Sequence, residues 1–461
     1  MTLGQRVEPA ELKKIVDNGQ CVGCGFCSIV LHADTDDKKM ARRVEYKWLP
    51  EVEHWGPSVS EDYSENDKRD LRICPGHSMQ MPEMAEGVFG REPADAMVGE
   101  ALRIASGYAS SESIRANAAS GGIATALVAH LFQNGQIDSC YCSAGYSPKN
   151  GHGFLARDTE TLLNATGSHY HPIAFGASLR ELVDGSDKFA FIGLPCEIAA
   201  MRQLMSERSD VRDRCVILIG LFCGGINRYS GIGRYLRHFD VNPSKVESID
   251  YRDGEWPGQI SVTTSGEKVV RKIPRIQGNS RWNILRYMVS FQGYWMLPRC
   301  RICPDQIADF ADIALGDPHL PRFKSSRGFG HSAIVARTVK GLEILERAEA
   351  DGDIILDKLS RDELVNSQGY TLENRRFTMI YANMARKLGL VPPMVSVYSK
   401  LEGAMSVHQS IFAFVDLGKI CLRNRRWLAP LYLPLQIFEY LFLTLSPRLA
   451  INRLAKLLSN R

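Results

Sequence analysis

The stretch Lys188-Phe-Ala-Phe-Ile-Gly-Leu-Pro-Cys-Glu197 gives the clearest indication of the fold. Residues 188–192 predict a buried strand, residues 193–195 a turn, and residues 197–204 a helix. Further along the chain, the apolar residues 216–222 and 312–317 predict two more strands. Strands that alternate with helices are typical of an α/β fold, and we expect its sheet to be mixed or mostly parallel.

The composition is that of an ordinary globular protein except for its cysteines. The formal net charge of +4 is too small to indicate a nucleic-acid partner. The chain has 12 cysteines, and residues 1–20 are too polar for a signal peptide. We therefore expect a cytoplasmic protein, in which grouped cysteines bind metals or carry out redox chemistry.

The first cysteine group is Cys21-Val-Gly-Cys24-Gly-Phe-Cys27, followed later by Cys74-Pro75. This spacing is the bacterial ferredoxin signature for a 4Fe-4S cluster, in which closely spaced thiolates surround an iron–sulfide cubane. Cys74 completes the same site most simply, because the chain has one such run. The alternative is a zinc site, which three cysteines at this spacing fit poorly.

The second cysteine group is Cys300-Arg-Ile-Cys303, together with Cys196 and Cys223, which each follow a predicted strand. Parallel strands bring their carboxyl ends to one edge of a sheet, where ligands gather. Four thiolates at that edge would suffice for a second 4Fe-4S cluster. On the residues alone, Cys196 and Cys223 could equally be buried core cysteines. The remaining cysteines are interpreted as structural: Cys140, Cys142, Cys215 and Cys421.

A small-residue turn opens a predicted helix at Ser120-Gly-Gly-Ile-Ala-Thr125. A helix N-terminus offers free N–H groups and a positive dipole end, which suit a phosphate. Plain helix capping is the simpler interpretation of this turn taken alone.

Seven short motifs occur in an order that resembles the coenzyme F(420) hydrogenase/dehydrogenase beta-subunit family. Relatives of that family include 7-hydroxymethyl chlorophyll a reductase and ferredoxin-dependent divinyl chlorophyllide 8-vinyl reductase. The motifs are Ser120-Gly-Gly-Ile-Ala-Thr-Ala-Leu127, Gly167-Ser-His-Tyr170, Gly193-Leu-Pro-Cys-Glu-Ile198, Gly220-Leu-Phe-Cys223, Tyr251-Arg-Asp-Gly-Glu-Trp-Pro-Gly258, Cys300-Arg-Ile-Cys-Pro-Asp305 and Ala311-Asp-Ile-Ala-Leu-Gly-Asp317.

The resemblance implies FAD on the α/β core, with a 4Fe-4S cluster near its isoalloxazine ring. The flavin contacts carried over from the family are Ser120, Gly121, Gly122, Thr125, Gly167, Ser168 and Tyr170. No catalytic residue is assigned. The candidates for a proton donor are His169, His171, His319 and Asp317, each of which is also consistent with a structural role.

Five segments follow from these observations, with an α/β core in a chain that is α+β overall. They are a ferredoxin-like 4Fe-4S segment (1–95), a flavin-binding region (96–180), a region with the second 4Fe-4S site (181–345), a helical connector (346–400) and a basic, apolar helical tail (401–461). Within the first segment, the polar residues 51–70 predict an inserted loop.

Two functions fit this organisation. The first is a self-contained reductase, in which a ferredoxin or another low-potential donor passes electrons through two 4Fe-4S clusters to FAD, which delivers hydride to a small organic substrate. The second is a non-catalytic electron-transfer subunit of a larger hydrogenase-like complex. A tetrapyrrole reductase is a further alternative, although Cys24-Gly-Phe-Cys27-Ser-Ile differs from the motif usual in those enzymes.

The tail is strongly basic, with eight basic residues and one acid over 419–461, a net charge of about +7. Residues 427–445 are apolar, but Pro430 and Pro434 argue against a membrane span. The pattern is typical of an interfacial helix on the inner face of a membrane, and equally of an oligomer interface or a helix packed on the core.

Overall fold

The structure is a computed structural model that describes residues 6–7, 9–30, 44–59, 69–70, 72–146, 151–265, 267–273, 295–324, 328–387 and 394–401. The predicted tail, apart from Leu401, and the structural assignment of Cys421 lie outside these residues. The helices in the described ranges all fall short of the length and apolar character that crossing a membrane requires.

An eight-stranded sheet forms the centre of the described chain. Its strands in chain order are β1 (Arg103–Ala109), β2 (Ser139–Ala144), β3 (His152–Ala156), β4 (Phe189–Gly193), β5 (Cys215–Leu221), β6 (Ile313–Gly316), β7 (Ser332–Ala336) and β8 (Ile354–Lys358). Across the sheet they lie in the order β8-β1-β7-β6-β5-β4-β2-β3.

The sheet is mixed, which confirms the first of the two expected forms, whereas mostly parallel pairing is wrong. In the described sheet, β6, β5, β4 and β2 pair in parallel through three interfaces, whereas β7, β1, β8 and β3 join by four antiparallel ones. A short, fully buried strand such as β7 has the same apolar pattern whichever way it runs. Its direction in the sheet is therefore set by tertiary contacts and not by its sequence. The α/β class itself is confirmed.

Both faces of the sheet are buried, because neighbouring residues along each strand enter different apolar layers. Phe189 and Phe191 of β4 enter one layer, and Ala190 enters the other. The helices are Pro9–Asp17, Phe26–Val30, Met81–Phe89, Glu112–Asn117, Ile123–Gln133, Thr159–Leu163, Leu179–Asp184, Pro195–Glu207, Ser209–Arg214, Tyr229–Arg237, Pro298–Arg301, Pro321–Lys324, Val339–Ala350 and Arg361–Lys387.

Four smaller sheets surround this core in the described residues. Their strands are Val246–Asp253 with Gln259–Thr264 and Glu267–Ile273, Val44–Leu49 with His54–Val59, Ser78–Gln80 with Met394–Ser396, and Arg6–Val7 with Arg69–Asp70.

The hairpin formed by Val44–Leu49 and His54–Val59, called the N-terminal hairpin below, corrects the loop predicted over 51–70. Its residues look polar in sequence, but the rings of Tyr46 and Trp55 stack with centroids 6.0 Å apart and hold the strands together. The predicted connector 346–400 likewise contains β8 of the central sheet as well as the helix Arg361–Lys387.

Candidate iron–sulfur and redox site

Cys21 and Cys24 of the first cysteine group lie in a buried loop between the helices Pro9–Asp17 and Phe26–Val30, and Cys27 lies in the first turn of the second helix. Cys21, Cys27 and Cys74 belong to one apolar cluster, and Cys24 is equally buried. Cys74 approaches from the separate loop that precedes the strand Ser78–Gln80. The structure therefore brings the four predicted ligands of the first cluster together.

Two glycines and the N-terminal hairpin shape this loop. Gly23 and Gly25 both have a φ of +77°, which side chains other than glycine rarely adopt. A Cβ on Gly23 would lie 2.8 Å from the backbone oxygen of Trp55, so the hairpin covers the loop at contact distance. Tyr46 fixes this arrangement, because its hydroxyl donates to Gly23 O at 2.6 Å.

The four thiols would not ionise without a positive partner. Burial raises the pKa of Cys21 to about 12, and the neighbouring Cys74 adds to the rise. Burial also raises the pKa of Cys24, Cys27 and Cys74. Ligation by a metal centre deprotonates such thiols, and four cysteines gathered at one place are the donor set that an iron–sulfur cluster takes.

The second cysteine group lies at the carboxyl edge of the central sheet. Cys196 is in the first turn of the helix that follows β4, and Cys223 follows β5 directly. Cys300 and Cys303 come from the short helix Pro298–Arg301 and the loop after it. All four line one cavity of about 140 Å³, so these predicted ligands also converge.

Backbone N–H groups point at two of these sulfurs. Gly225 N donates to Cys223 Sγ at 3.4 Å, and Ile226 N donates to Cys300 Sγ at 3.5 Å. Hydrogen bonds of this kind set the reduction potential of an iron–sulfur cluster. Burial raises the pKa of Cys300 to about 11, so this group too needs a metal centre to ionise.

The spacing of the thiols bears on the zinc alternative. In the described part of the chain, no three His, Cys, Asp or Glu side chains converge tightly enough to hold a single metal ion. A single zinc ion draws its sulfur ligands to about 2.3 Å from one centre. The iron–sulfide core of a cubane lies between its four cysteines and keeps their sulfurs farther apart than the ligands of one zinc ion.

The two cysteine groups are neighbours. Burial raises the pKa of Cys196, and Cys24 of the first group is among the charges that add to the rise, together with Cys223 and Cys303. Val22, between the first two ligands of the first group, lines the cavity of the second. A short stretch of packed protein therefore separates the two sites.

The segment predicted to contact FAD phosphate uses its polar groups internally. The hydroxyl of Ser120 donates to His331 O at 2.5 Å, and Gly121 N donates to Ser332 Oγ at 3.1 Å. Gly122 is the left-handed N-cap of the helix Ile123–Gln133, and Thr125 lies in its first turn. The turn is therefore held by the start of β7, which accepts from the Ser120 hydroxyl and the Gly121 N–H.

The second segment carried over for FAD, residues 167–170, lies in the loop after the helix Thr159–Leu163. Gly167 is exposed with no atom within 4 Å of a built Cβ, and Ser168 follows it half-buried. The ring of Tyr170 packs against Tyr251 with centroids 5.0 Å apart, next to the three-stranded sheet.

The proton-donor candidates divide between the core and the sheet edge. His171 is buried, and its Nδ1 lies 3.0 Å from the hydroxyl of Tyr251, with the ring of His169 beside it. Asp317 forms an ion pair with Arg252, which is a structural role. His319 is half-exposed, 3.9 Å from Asp317.

Three of the sequence motifs meet at the carboxyl edge of the sheet, around Gly330. A Cβ on Gly330 would lie 2.6 Å from the ring of Trp256 and 3.1 Å from the backbone of Ser120. Trp256 also faces His319, with ring centroids 6.2 Å apart. Trp256 Nε1 and His331 Nδ1 are buried polar atoms with no hydrogen-bond partner among the described residues.

Sequence reasoning missed two parts of the site. One is the N-terminal hairpin, which the aromatic residues Tyr46, Trp48 and Trp55 could have indicated. The other is Arg299, a fully buried arginine that bonds to Pro75 O at 2.9 Å, beside the first cysteine group. Nothing in the sequence distinguishes it from the nearby Arg301.

Comparison with known proteins identifies the class. The model of the coenzyme F(420) hydrogenase/dehydrogenase beta-subunit N-terminal region matches residues 104–180, and that of the C terminus matches residues 186–362. The chain therefore belongs to the coenzyme F(420) hydrogenase/dehydrogenase beta-subunit family.

Named relatives are oxidoreductases or their subunits. The chain is 24% identical to a coenzyme F(420)-dependent sulfite reductase of Methanocaldococcus jannaschii, over 76% of this chain and 49% of the reductase. It is 24% identical to the beta subunit of coenzyme F(420) hydrogenase of Methanosarcina barkeri, over 61% of this chain and 95% of that subunit. It is 22% identical to one of the subunits of the F(420)H(2) dehydrogenase of Methanosarcina mazei, over 80% of this chain and 92% of that subunit.

The lengths of these relatives differ. The chain spans about half of the sulfite reductase and 62% of a further, uncharacterised protein of M. jannaschii. Its fold resembles a chain of the F(420)-reducing [NiFe] hydrogenase complex of M. barkeri, with a TM-score of 0.50 and 22% identity, over 65% of this chain and 97% of that one.

The comparisons correct the expected FAD. The names of the matching models and of these three relatives specify coenzyme F(420), and none specifies FAD. The structure gives the physical reason at the first predicted contact segment, where Ser120 and Gly121 donate to His331 and Ser332. The FAD expectation is therefore wrong.

Proposed function

We propose that this chain is an electron-transfer subunit of an oxidoreductase, which holds two 4Fe-4S clusters and exchanges electrons with coenzyme F(420). The observation that carries the proposal is the convergence of eight cysteines into two adjacent groups of four. The cysteines of the first group are buried and those of the second are partly buried, and each group supplies the four thiolate ligands that one cubane needs.

The first cluster would be held by Cys21, Cys24, Cys27 and Cys74, and the second by Cys196, Cys223, Cys300 and Cys303. A 4Fe-4S cluster supplies reversible storage of single electrons. The chain's own contribution is to exclude water with the N-terminal hairpin and to donate N–H groups to Cys223 and Cys300.

The adjacency of the two groups supports a relay rather than two unrelated sites. Val22 packs between the first group and the cavity of the second, and Cys24 lies within electrostatic range of Cys196. Oxidation of F(420)H(2) releases two electrons and two protons, so each cluster would take up one electron and the protons would pass to solvent. The stoichiometry of the proposed relay therefore balances.

Coenzyme F(420) would bind at the carboxyl edge around Gly330. This edge is where ligands bind in open α/β sheets, and it offers the ring of Trp256 for stacking. Trp256 Nε1 and His331 Nδ1 supply polar atoms that lack a partner among the described residues. Arg252 and Asp317 pair beneath them and fix the surrounding loops.

A role within a complex is preferred to a self-contained reductase. The chain matches nearly the whole length of a hydrogenase beta subunit, which is by name one subunit of a larger enzyme. The alternative of hydride transfer to a small organic substrate depended on FAD and is set aside. A ferredoxin or another low-potential carrier then becomes one of the partners to test at the first cluster.

Anaerobic reconstitution of the purified chain tests the proposal. We expect about eight iron atoms and about eight sulfide ions per chain, consistent with two cubanes. Bleaching of the visible cluster absorption by F(420)H(2) would show electron exchange, and a ferredoxin tested in parallel would show whether it serves as a partner. Zinc in place of iron, or clusters that F(420)H(2) leaves oxidised while dithionite reduces them, would contradict the proposal.

A further inference from the structure

Arg299 lies where the loops of both cysteine groups meet. Its Nε donates to Pro75 O at 2.9 Å, directly after Cys74 of the first group. Its Nη1 donates to Ile302 O at 3.1 Å, directly before Cys303 of the second group. One guanidinium therefore bridges the backbone of the two sites.

A third loop joins the same point. The backbone N–H of Arg299 donates to Gly19 O at 3.2 Å, two residues before Cys21. A Cβ on Gly19 would lie 2.6 Å from Pro298, so the two chain segments touch. The segment that leads to Cys21 of the first group therefore contacts Pro298 and Arg299, which directly precede Cys300 of the second group.

The charge of Arg299 has no carboxylate beside it. The side chain is 1% exposed, and its remaining donor, Nη2, lies 3.5 Å from Met79 Sδ. Within the described ranges, no carboxylate lies within ion-pair distance of Arg299. The two other fully buried arginines, Arg337 and Arg375, both face Asp309.

A buried cation without a counter-charge is costly, so its surroundings must supply negative charge. Cys74 of the first group and Cys303 of the second both lie within electrostatic range of the Arg299 guanidinium. A cluster with four thiolate ligands is a net anion, and it becomes more negative when it is reduced.

We propose that Arg299 is a positioning residue shared by the two clusters, whose buried charge stabilises the reduced state of each and raises both reduction potentials. The inference rests on the proposed function, because it requires both clusters. A cation close to a cluster favours the added electron, and water does not screen a charge that is buried.

The test is an EPR-monitored redox titration of the reconstituted chain and three variants. Arg299→Gln removes the charge and keeps hydrogen-bond donors, and we expect both midpoint potentials to become more negative. Arg299→Lys keeps the charge and should leave both near the wild-type values. Arg301→Gln removes the same charge from a partly exposed position near Cys300, and we expect a smaller shift confined to the second cluster.

The iron content separates failure of this inference from failure of the proposed function. Clusters absent from the wild-type chain would refute the proposed function itself. Two clusters present in Arg299→Gln with either potential unchanged would overturn the role of Arg299 alone. If Arg299→Gln assembles no cluster, the test is made with Arg299→Lys, which keeps the positive charge. Midpoint potentials equal to those of the wild type would support the role of the charge. Midpoint potentials lowered in both clusters would overturn it.

Discussion

Gly25 and Gly176 lie backbone against backbone, so that a Cβ added to Gly25 would be 2.5 Å from the Cα of Gly176, and the reverse contact is equally short. Gly25 is in the first cysteine loop, and Gly176 is in the short helical turn Phe175–Ser178 beside the central sheet. This contact joins the N-terminal cysteine segment to the α/β core, and the two backbones lie too close for either residue to carry a side chain.

The first prediction concerns that contact. Gly176→Ala should push the cysteine loop from the core, destabilise the fold by about 1–3 kcal/mol and release iron from the first site. Gly87→Ala is the matched control, because Gly87 lies in the helix Met81–Phe89 with nothing within 4 Å of its built Cβ. The control should be neutral or stabilising by about 0.4–1 kcal/mol. Urea unfolding and iron analysis check both variants. A Gly176→Ala variant with the wild-type free energy of unfolding and iron content would refute the role of the contact.

The second prediction separates ligand cysteines from structural ones. Cys196→Ala should lower the iron content from about eight to about four atoms per chain, because one cubane loses a ligand. Cys142→Ala changes a cysteine buried in β2, away from both groups, and should retain full iron content. Iron and sulfide analysis of the two variants side by side checks the assignment. Equal iron in both would show that Cys196 is not a ligand.

The third prediction concerns pH. Burial lowers the pKa of His171 well below 6.5, and His169 adds to the effect. Below about pH 6.5 the unfolded imidazole binds a proton that the folded one does not, so the contribution of His171 makes the unfolding free energy fall as the pH falls. The slope has a limit of about 1.4 kcal/mol per pH unit between the two pKa values.

His171→Gln removes this titration. We therefore expect the difference in unfolding free energy between wild type and His171→Gln to shrink from about pH 7.5 to about pH 5.5. Comparing the two proteins cancels other groups, such as His54, whose pKa burial lowers to about 4. Denaturant unfolding at several pH values measures it, and a pH-independent difference would show that His171 does not titrate as described.

The fourth prediction concerns the proposed coenzyme site. Trp256→Leu should raise the KM for F(420)H(2) by about tenfold, because stacking on an aromatic ring contributes about 1 kcal/mol and its indole N–H is lost as well. Iron content should not change, since Trp256 packs on Gly330 and is not among the residues that line the cavity of the second cysteine group. Steady-state kinetics with an artificial acceptor checks this, and an unchanged KM would place the coenzyme elsewhere.

The local elements of the core were predictable from the sequence. The strand predicted over 188–192 is observed at Phe189–Gly193, and the helix predicted over 197–204 is observed at Pro195–Glu207. The strand predicted over 216–222 is observed at Cys215–Leu221. Apolar runs and the Gly-Leu-Pro turn are local signals, so they suffice for such elements.

Features that depend on distant contacts were not predictable. The direction of β7 relative to β6 depends on tertiary pairing, since Ser332–Ala336 is apolar throughout. The role of Arg299 depends on its burial between Pro75 and Ile302. Pro75 is 224 residues away in sequence, so no local pattern indicates this contact. Cys21, Cys24 and Cys27 were predictable as ligands because their close spacing is a local signal, whereas spacing alone did not assign Cys196 and Cys223 to the second group.

The most direct measurement of the central claim is the EPR spectrum of the fully reduced, reconstituted chain. Two neighbouring reduced clusters should give a spectrum broadened by magnetic interaction, and Cys196→Ala should reduce it to the simple spectrum of one isolated cluster. A wild-type spectrum that is the plain sum of two isolated clusters, or one that shows no iron–sulfur signal, would contradict the adjacent pair of sites.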